Sequence, residues 1–182
     1  MSMFCYQCQE TVMNKGCTVT GVCGKNEEVA NLQDLLIYTL KGVSDIVVKG
    51  QVVTADIPET NHEVLRSLFM TITNANFDSE AIERQITKML LLRNTLRDKV
   101  QSDKLHDSAL FESDTKESML KKATTVGVLA TENEDVRSLR ELVIYGLKGM
   151  AAYLEHALNI GKEDLSINSF IYEALAATID DN

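Results

Sequence analysis

The sequence predicts an all-α fold, on three observations. Leucine, isoleucine, alanine and glutamate recur at helical spacing along most of the chain. Proline occurs once, at Pro58, tryptophan is absent, and aromatic residues make up 5% of the total. A helical segment also occurs twice. Asn26–Gly42, NEEVANLQDLLIYTLKG, aligns with Asn133–Gly149, NEDVRSLRELVIYGLKG, at an offset of 107, with 10 of 17 positions identical. The same offset carries Leu68, Thr71 and Ile72 onto Leu175, Thr178 and Ile179, and Asn61 onto Asn168. Two segments recurring at one fixed separation mark a duplicated unit rather than a chance match.

The elements follow in order. After a cysteine-bearing segment, residues 1–25, a helix is expected over Glu27–Val48, capped by Asn26, with Val29, Leu32, Leu36 and Leu40 on one face. A second helix is expected over Thr60–Thr73, where Thr60 and Glu63 have the spacing of a capping box. Asp78 caps a third, Ser79–Val100, whose apolar face is Ile82, Ile86, Met89, Leu90 and Leu96. These three make a three-helix bundle over residues 26–105. Ser102–Asp114 reads as a polar connector, and a short helix follows over Thr115–Thr124. The second unit, within residues 106–182, offers helices over Val136–Leu154 and Ile167–Ile179. Its third helix would begin near residue 185, so this second bundle is expected to be incomplete. Phe170, Ile171, Leu175 and Ile179 would then need a cover from the chain's own short helix, further domains or a partner chain.

Composition narrows the function. A formal charge of −9 argues against nucleic-acid binding, which needs a basic face. No apolar stretch is long enough to span a membrane, and Met1–Glu10 lacks the basic leader and apolar run of a signal peptide. A reducing, cytoplasmic compartment is expected.

All four cysteines, Cys5, Cys8, Cys17 and Cys23, lie in the first 23 residues, spaced C-x2-C-x8-C-x5-C. Cysteines serving as core hydrophobes would be scattered. Soft thiolates select zinc, copper(I) or an iron–sulfur cluster. Disulfides are the other option, but such a framework suits a small secreted domain without a core, and this chain is long and apolar enough not to need one. Zinc sites usually pair two similar knuckles. Here one knuckle is tight and the other loose, an asymmetry that a larger inorganic core tolerates better. The spacing matches neither common ferredoxin run. Gly16, Gly21 and Gly24 would let backbone amides approach sulfur, and the N-terminus of the following helix favours negative charge. Lys15 and Lys25 are nearby cations whose simpler reading is as solvated side chains. Phe4 and Tyr6 flank ligands and either shield the site or pack as core. At the repeat offset Cys17 maps to Thr124 and Cys23 to Ala130. The duplicated helix therefore does without thiolates, which assigns the cysteines to chemistry rather than to the scaffold.

Four segments resemble the hybrid cluster proteins, also called prismane proteins or hydroxylamine reductases. They are FCYQCQETVMNKGCTVTGVCGKNEEVANLQDLLIYTLKG, LFMTITNANFD, SLRELVIYGLKGMAAYLEHA and SFIYEALAATIDDN. The resemblance implies that Cys5, Cys8, Cys17 and Cys23 bind a [4Fe–4S] cluster, and that the first domain is built from two three-helix bundles. It further implies reduction of hydroxylamine to ammonia, and nitric oxide reduction, at a second, hybrid cluster held by histidine, glutamates and cysteines of later domains. No cysteine follows Cys23, and His62, His106 and His156 share no metal-ligand spacing with a cysteine, so no catalytic residue carries over. The expected role is an electron-relay domain fed by a redox donor protein or reductase, not a reductase active alone. A zinc-stapled structural or docking module is the alternative. Tyr38 and Tyr145, at matching repeat positions, read as packing residues. Gly42 and Gly149 read as sites of close helix approach or of a helical turn's end.

Overall fold

The computed structural model describes residues 3–72, 75–100 and 104–179, and these are all-α. Helix α1 spans Glu27–Lys49, and the Asn26 side chain accepts the amide of Val29 at 2.9 Å. Helix α2 spans Pro58–Met70. Its expected capping box is not formed. Pro58 occupies the first turn, where its missing N–H costs nothing, and moves the start ahead of Thr60. Thr60 and Glu63 lie inside the helix and are buried. Helix α3 spans Ser79–Arg97, with Asp78 accepting from the Ala81 amide at 3.1 Å. The expected ends of the second helix at Thr73 and of the connector at Ser102 lie outside the described residues.

The connector carries a helix that its composition conceals, α4, Asp107–Leu110. Helix α5, Lys116–Val126, starts at a reciprocal cap between Thr115 and Ser118. Helix α6 spans Glu134–Asn159, with Asn133 accepting from Asp135 and Val136. Helix α7 spans Leu165–Ala177, capped by Asp164 through the Ser166 amide at 2.9 Å.

Helix α1 is the spine. Leu32, Leu35, Leu36, Leu40, Val43 and Ile46 are fully enclosed, because α3, α4, α5 and α7 all pack on α1. A helix apolar on more than one face requires neighbours all round. The repeats interlock. The second helix of the second unit, α7, lies on the first helix of the first unit, α1. Its counterpart α2 lies on α6, whereas the consecutive helices α6 and α7 barely touch. One continuous core spans both units. Ile171 and Leu175, expected to need an outside cover, are buried against α1, while Phe170 remains exposed. Helix α6 of the same unit carries exposed apolar side chains of its own, at Leu139, Leu142, Tyr145 and Tyr153.

Gly42 decides how closely α4 approaches. A Cβ there would lie 2.1 Å from the Ser108 carbonyl oxygen, so only glycine admits that backbone contact. The same carbonyl accepts from Arg93 at 3.1 Å, and Arg93 is completely buried. Burial pushes the Arg93 guanidinium down to about 10, partly offset by Glu112.

Candidate functional site

The cysteine loop closes on itself before reaching α1. Cys5 and Cys17 pair as an isolated antiparallel bridge: the Cys5 amide donates to the Cys17 carbonyl at 3.0 Å and the Cys17 amide to the Cys5 carbonyl at 2.8 Å. The bridge holds residues twelve apart in sequence side by side. The Thr11 hydroxyl spans it, donating to the Cys5 carbonyl at 3.1 Å and lying 3.7 Å from the Cys17 sulfur. The Gly24 amide donates to the Gly21 carbonyl at 2.9 Å and the Gly21 amide to the Lys25 carbonyl at 2.7 Å, folding the Cys23 segment back on itself. Gly24 has φ +91°, a left-handed conformation suited to glycine.

Glycine is also required at Gly16, where a Cβ would lie 2.5 Å from the Phe4 ring. Phe4 in turn packs at a tilt on Tyr6, with ring centroids 5.3 Å apart.

All four cysteines are free thiols. Cys17 is buried, and Cys5, Cys8 and Cys23 are half-buried. Burial alone would raise the Cys17 thiol. The Val12 and Val22 amides, the Thr11 hydroxyl and the charge of Lys25 outweigh it and hold that thiol below its ordinary value. Cys5 is pushed up by burial, against the Gln7 amide and Lys25. Backbone amides and a cation around sulfur are the surroundings an anionic thiolate cluster requires. The donor set therefore fits an iron–sulfur group. Among the described residues, no three Cys, His, Asp or Glu side chains gather closely enough to hold a single metal ion. A four-iron cube holds its thiolates farther apart than one ion does, so the two ligation modes demand different spacings of the same loop.

Lys25 departs from its simpler reading. It is 2% exposed, and its ammonium donates to the Gln33 side-chain oxygen of α1 at 2.6 Å. Gln33 donates onward to the Asn76 carbonyl at 3.1 Å. A buried lysine therefore pins the loop to the bundle and places a positive charge beneath it. Lys15 is exposed, as expected.

The histidines stand apart from the thiols. His62 faces Glu163 at 3.4 Å, His106 caps α4 through the Ser108 amide, and His156 packs edge-on to Phe69. Tyr38 donates to Asp107 and carries Lys122 over its ring, whereas Tyr145 is exposed. They are therefore not an equivalent pair.

A second polar group lies beside the loop. A cavity of about 330 Å³ between α1 and α6 is lined by Gln7 of the loop, by Asp34 and Lys41 of α1, and by Arg140, Glu141 and Lys148 of α6. Asp34 and Glu141 are repeat counterparts, as are Lys41 and Lys148. Lys148, 3% exposed, donates to the Thr71 carbonyl at the end of α2, 3.2 Å away. The only sequence signal of this group lies in the aligned repeats: an acid and a lysine seven positions apart on an otherwise apolar helix face, twice.

Comparison with known proteins agrees with this architecture. Residues 3–182 match the model of the Prismane/CO dehydrogenase family. The chain is 68% identical over its full length to a hydroxylamine reductase of Acetivibrio thermocellus, of which it covers 34%. It is 51% identical to a hydroxylamine reductase of Desulfitobacterium hafniense and 48% identical to that of Clostridium perfringens, again covering all of this chain and 34% of each relative. The chain thus spans about a third of the length of the curated relatives it matches. With a match running from Met3 to Asn182 through both repeats and the cysteine loop, the chain belongs to the Prismane/CO dehydrogenase family.

Proposed function

We propose that this chain is the electron-relay part of a hydroxylamine reductase, holding a [4Fe–4S] cluster through Cys5, Cys8, Cys17 and Cys23. The observation that carries the reading is the loop itself: four free thiols on one closed segment, with amides and a hydroxyl turned toward the buried Cys17 sulfur and Lys25 buried beneath. The names of the similar proteins support the same reaction class.

When bound, the cluster supplies a one-electron store. The chain's own residues do the rest. The Cys5–Cys17 bridge fixes two ligands relative to each other, and the Thr11 hydroxyl steadies both strands of that bridge. Lys25 offsets negative charge on the sulfurs, and its bond to Gln33 keeps it from swinging to solvent. Phe4 lies over the Gly16 backbone of the loop, and Tyr6 packs on Phe4. Hydroxylamine reduction to ammonia then belongs to the remaining two-thirds of a protein of the relatives' length, and electrons reach this chain from a redox donor protein or reductase. No helix among the described residues is long and apolar enough to cross a membrane, and a reducing cytoplasm is the compartment proposed for the thiolates.

Anaerobic purification with iron, sulfide and zinc analysis tests the reading. Iron and acid-labile sulfide in equal amounts, lost on Cys17→Ser, are expected. Stoichiometric zinc without sulfide would overturn it.

A further inference from the structure

The cavity between α1 and α6 is lined by four ionisable side chains, one buried and three half-buried, on helix faces that are otherwise apolar. Asp34 and Lys41 enter it from α1, and Glu141 and Lys148 from α6, and the repeat relates each residue of one pair to a residue of the other. The strongest electrostatic partner of Asp34 is Lys148, and that of Lys41 is Glu141, so each carboxylate answers the lysine of the opposite repeat. Lys148 is buried and Asp34, Lys41 and Glu141 are half-buried, and holding four charges in partly desolvated positions is costly unless they do something that apolar residues cannot. The cavity also reaches the cysteine loop, because Gln7, between Cys5 and Cys8, lines it. The field of Lys148 extends to Cys5.

Resting on the relay reading above, we propose that the quartet Asp34, Lys41, Glu141 and Lys148 is a proton acceptor coupled to reduction of the cluster on the cysteine loop. One electron arrives from the redox donor, which is oxidised by one electron. The cysteine-bound cluster becomes more negative by one charge, and one proton from solvent binds a quartet carboxylate, so the charge of the region is unchanged. Reoxidation releases the same proton.

Desolvation acts on all four groups in the sense the placement requires. Burial pushes the Asp34 carboxyl well above the usual carboxylate range, with Lys148 opposing and Glu141 reinforcing the shift, and burial also raises Glu141. Burial lowers both Lys41 and Lys148, against the two acids. Groups displaced in these directions exchange protons nearer neutrality than exposed ones. The other charges bearing on the quartet are Lys25 beneath the loop and Arg140 on α6. His106, Asp107 and Lys122, from α4 and α5 and their flank, line the same cavity.

The test is an electron paramagnetic resonance redox titration of the anaerobically purified chain, below, at and above neutral pH. The midpoint potential is expected to fall as pH rises, because reduction then has to draw its proton from a scarcer supply. The limiting dependence is tenfold in the redox equilibrium per pH unit, about 59 mV for one electron. Asp34→Asn is expected to flatten that dependence with cluster content retained. Glu141→Gln, with helix content checked by circular dichroism, is expected to reduce it and stands in should Asp34→Asn fail to fold. An intact cluster whose potential ignores pH in the unmodified chain, or keeps its full dependence in the variants, would overturn the proposal alone. A preparation without any cluster would overturn the relay reading, and the proposal with it.

Discussion

The hydroxyl of Tyr172 donates to the side-chain oxygen of Asn61 across 2.9 Å of buried space, joining residues 111 positions apart. Tyr172 sits on α7 of the second unit and Asn61 on α2 of the first. The Asn61 amide is already committed, donating to the Thr54 carbonyl at 2.8 Å. Asn168, the repeat counterpart of Asn61, lies one turn before Tyr172 and donates instead to Glu163 at 2.8 Å. The duplicated asparagine therefore serves both units differently: once to receive the other unit, once to close its own helix start. Burial holds the Tyr172 phenol well above its ordinary value, as a neutral donor requires.

Removing that donor leaves a buried acceptor without its partner. Tyr172→Phe is expected to cost about 1–3 kcal/mol in urea unfolding. Phe170→Ser, on the exposed side of the same helix, is expected to stay within about 0.5 kcal/mol. Equal effects of the two would contradict the interlock.

The two repeat glycines part company. Gly42→Ala would drive a Cβ into the Ser108 backbone, and a cost of about 1–3 kcal/mol is expected. Gly149→Ala meets nothing within 4 Å in this chain. Its gain in helix propensity, about 1 kcal/mol, should raise stability. Thermal unfolding of the two single variants in the 182-residue chain checks the opposite signs.

Acid should act through Glu63. Burial would raise this carboxyl, but Gln85 and Lys88, each at 2.9 Å, more than offset it and hold it below the usual range. A folded-state value below the unfolded one contributes stability that is present above the unfolded value, about 4.3. That contribution is lost as pH falls through the lower folded value. Urea midpoints measured from neutral to acidic pH should therefore decline less steeply in Glu63→Gln than in the unmodified chain.

The helices and most caps are legible in the sequence because they are local. Asn26 and Asp78 cap as their spacing predicts, and α1 runs one residue beyond expectation. The start of α2 is not, because Pro58 and Thr60 offer competing starts and the proline's fixed φ prevails. Helix α4 is hidden because its one local support, the His106 cap, is not a residue that signals a helix start. Its place in the fold is set by Arg93 and Gly42, both distant in sequence. The repeat predicts which helices exist but not that they exchange partners, since pairing depends on the apolar faces of all four at once. At the site, the gathering of all four thiols on one segment is legible from the sequence, because it is local. The role of Lys25 is not, because its burial depends on Gln33 of α1 and, through it, on the Asn76 carbonyl.

The central claim is that four amino-terminal thiols hold one iron–sulfur cube on a helical scaffold that stands without it. Iron and acid-labile sulfide per chain, measured anaerobically alongside helix content for the unmodified chain and for Cys17→Ser, tests it most directly. The account predicts about four of each per unmodified chain, their loss in the variant, and helix content nearly unchanged. Unaltered iron in Cys17→Ser, or zinc in place of iron and sulfide, would contradict it.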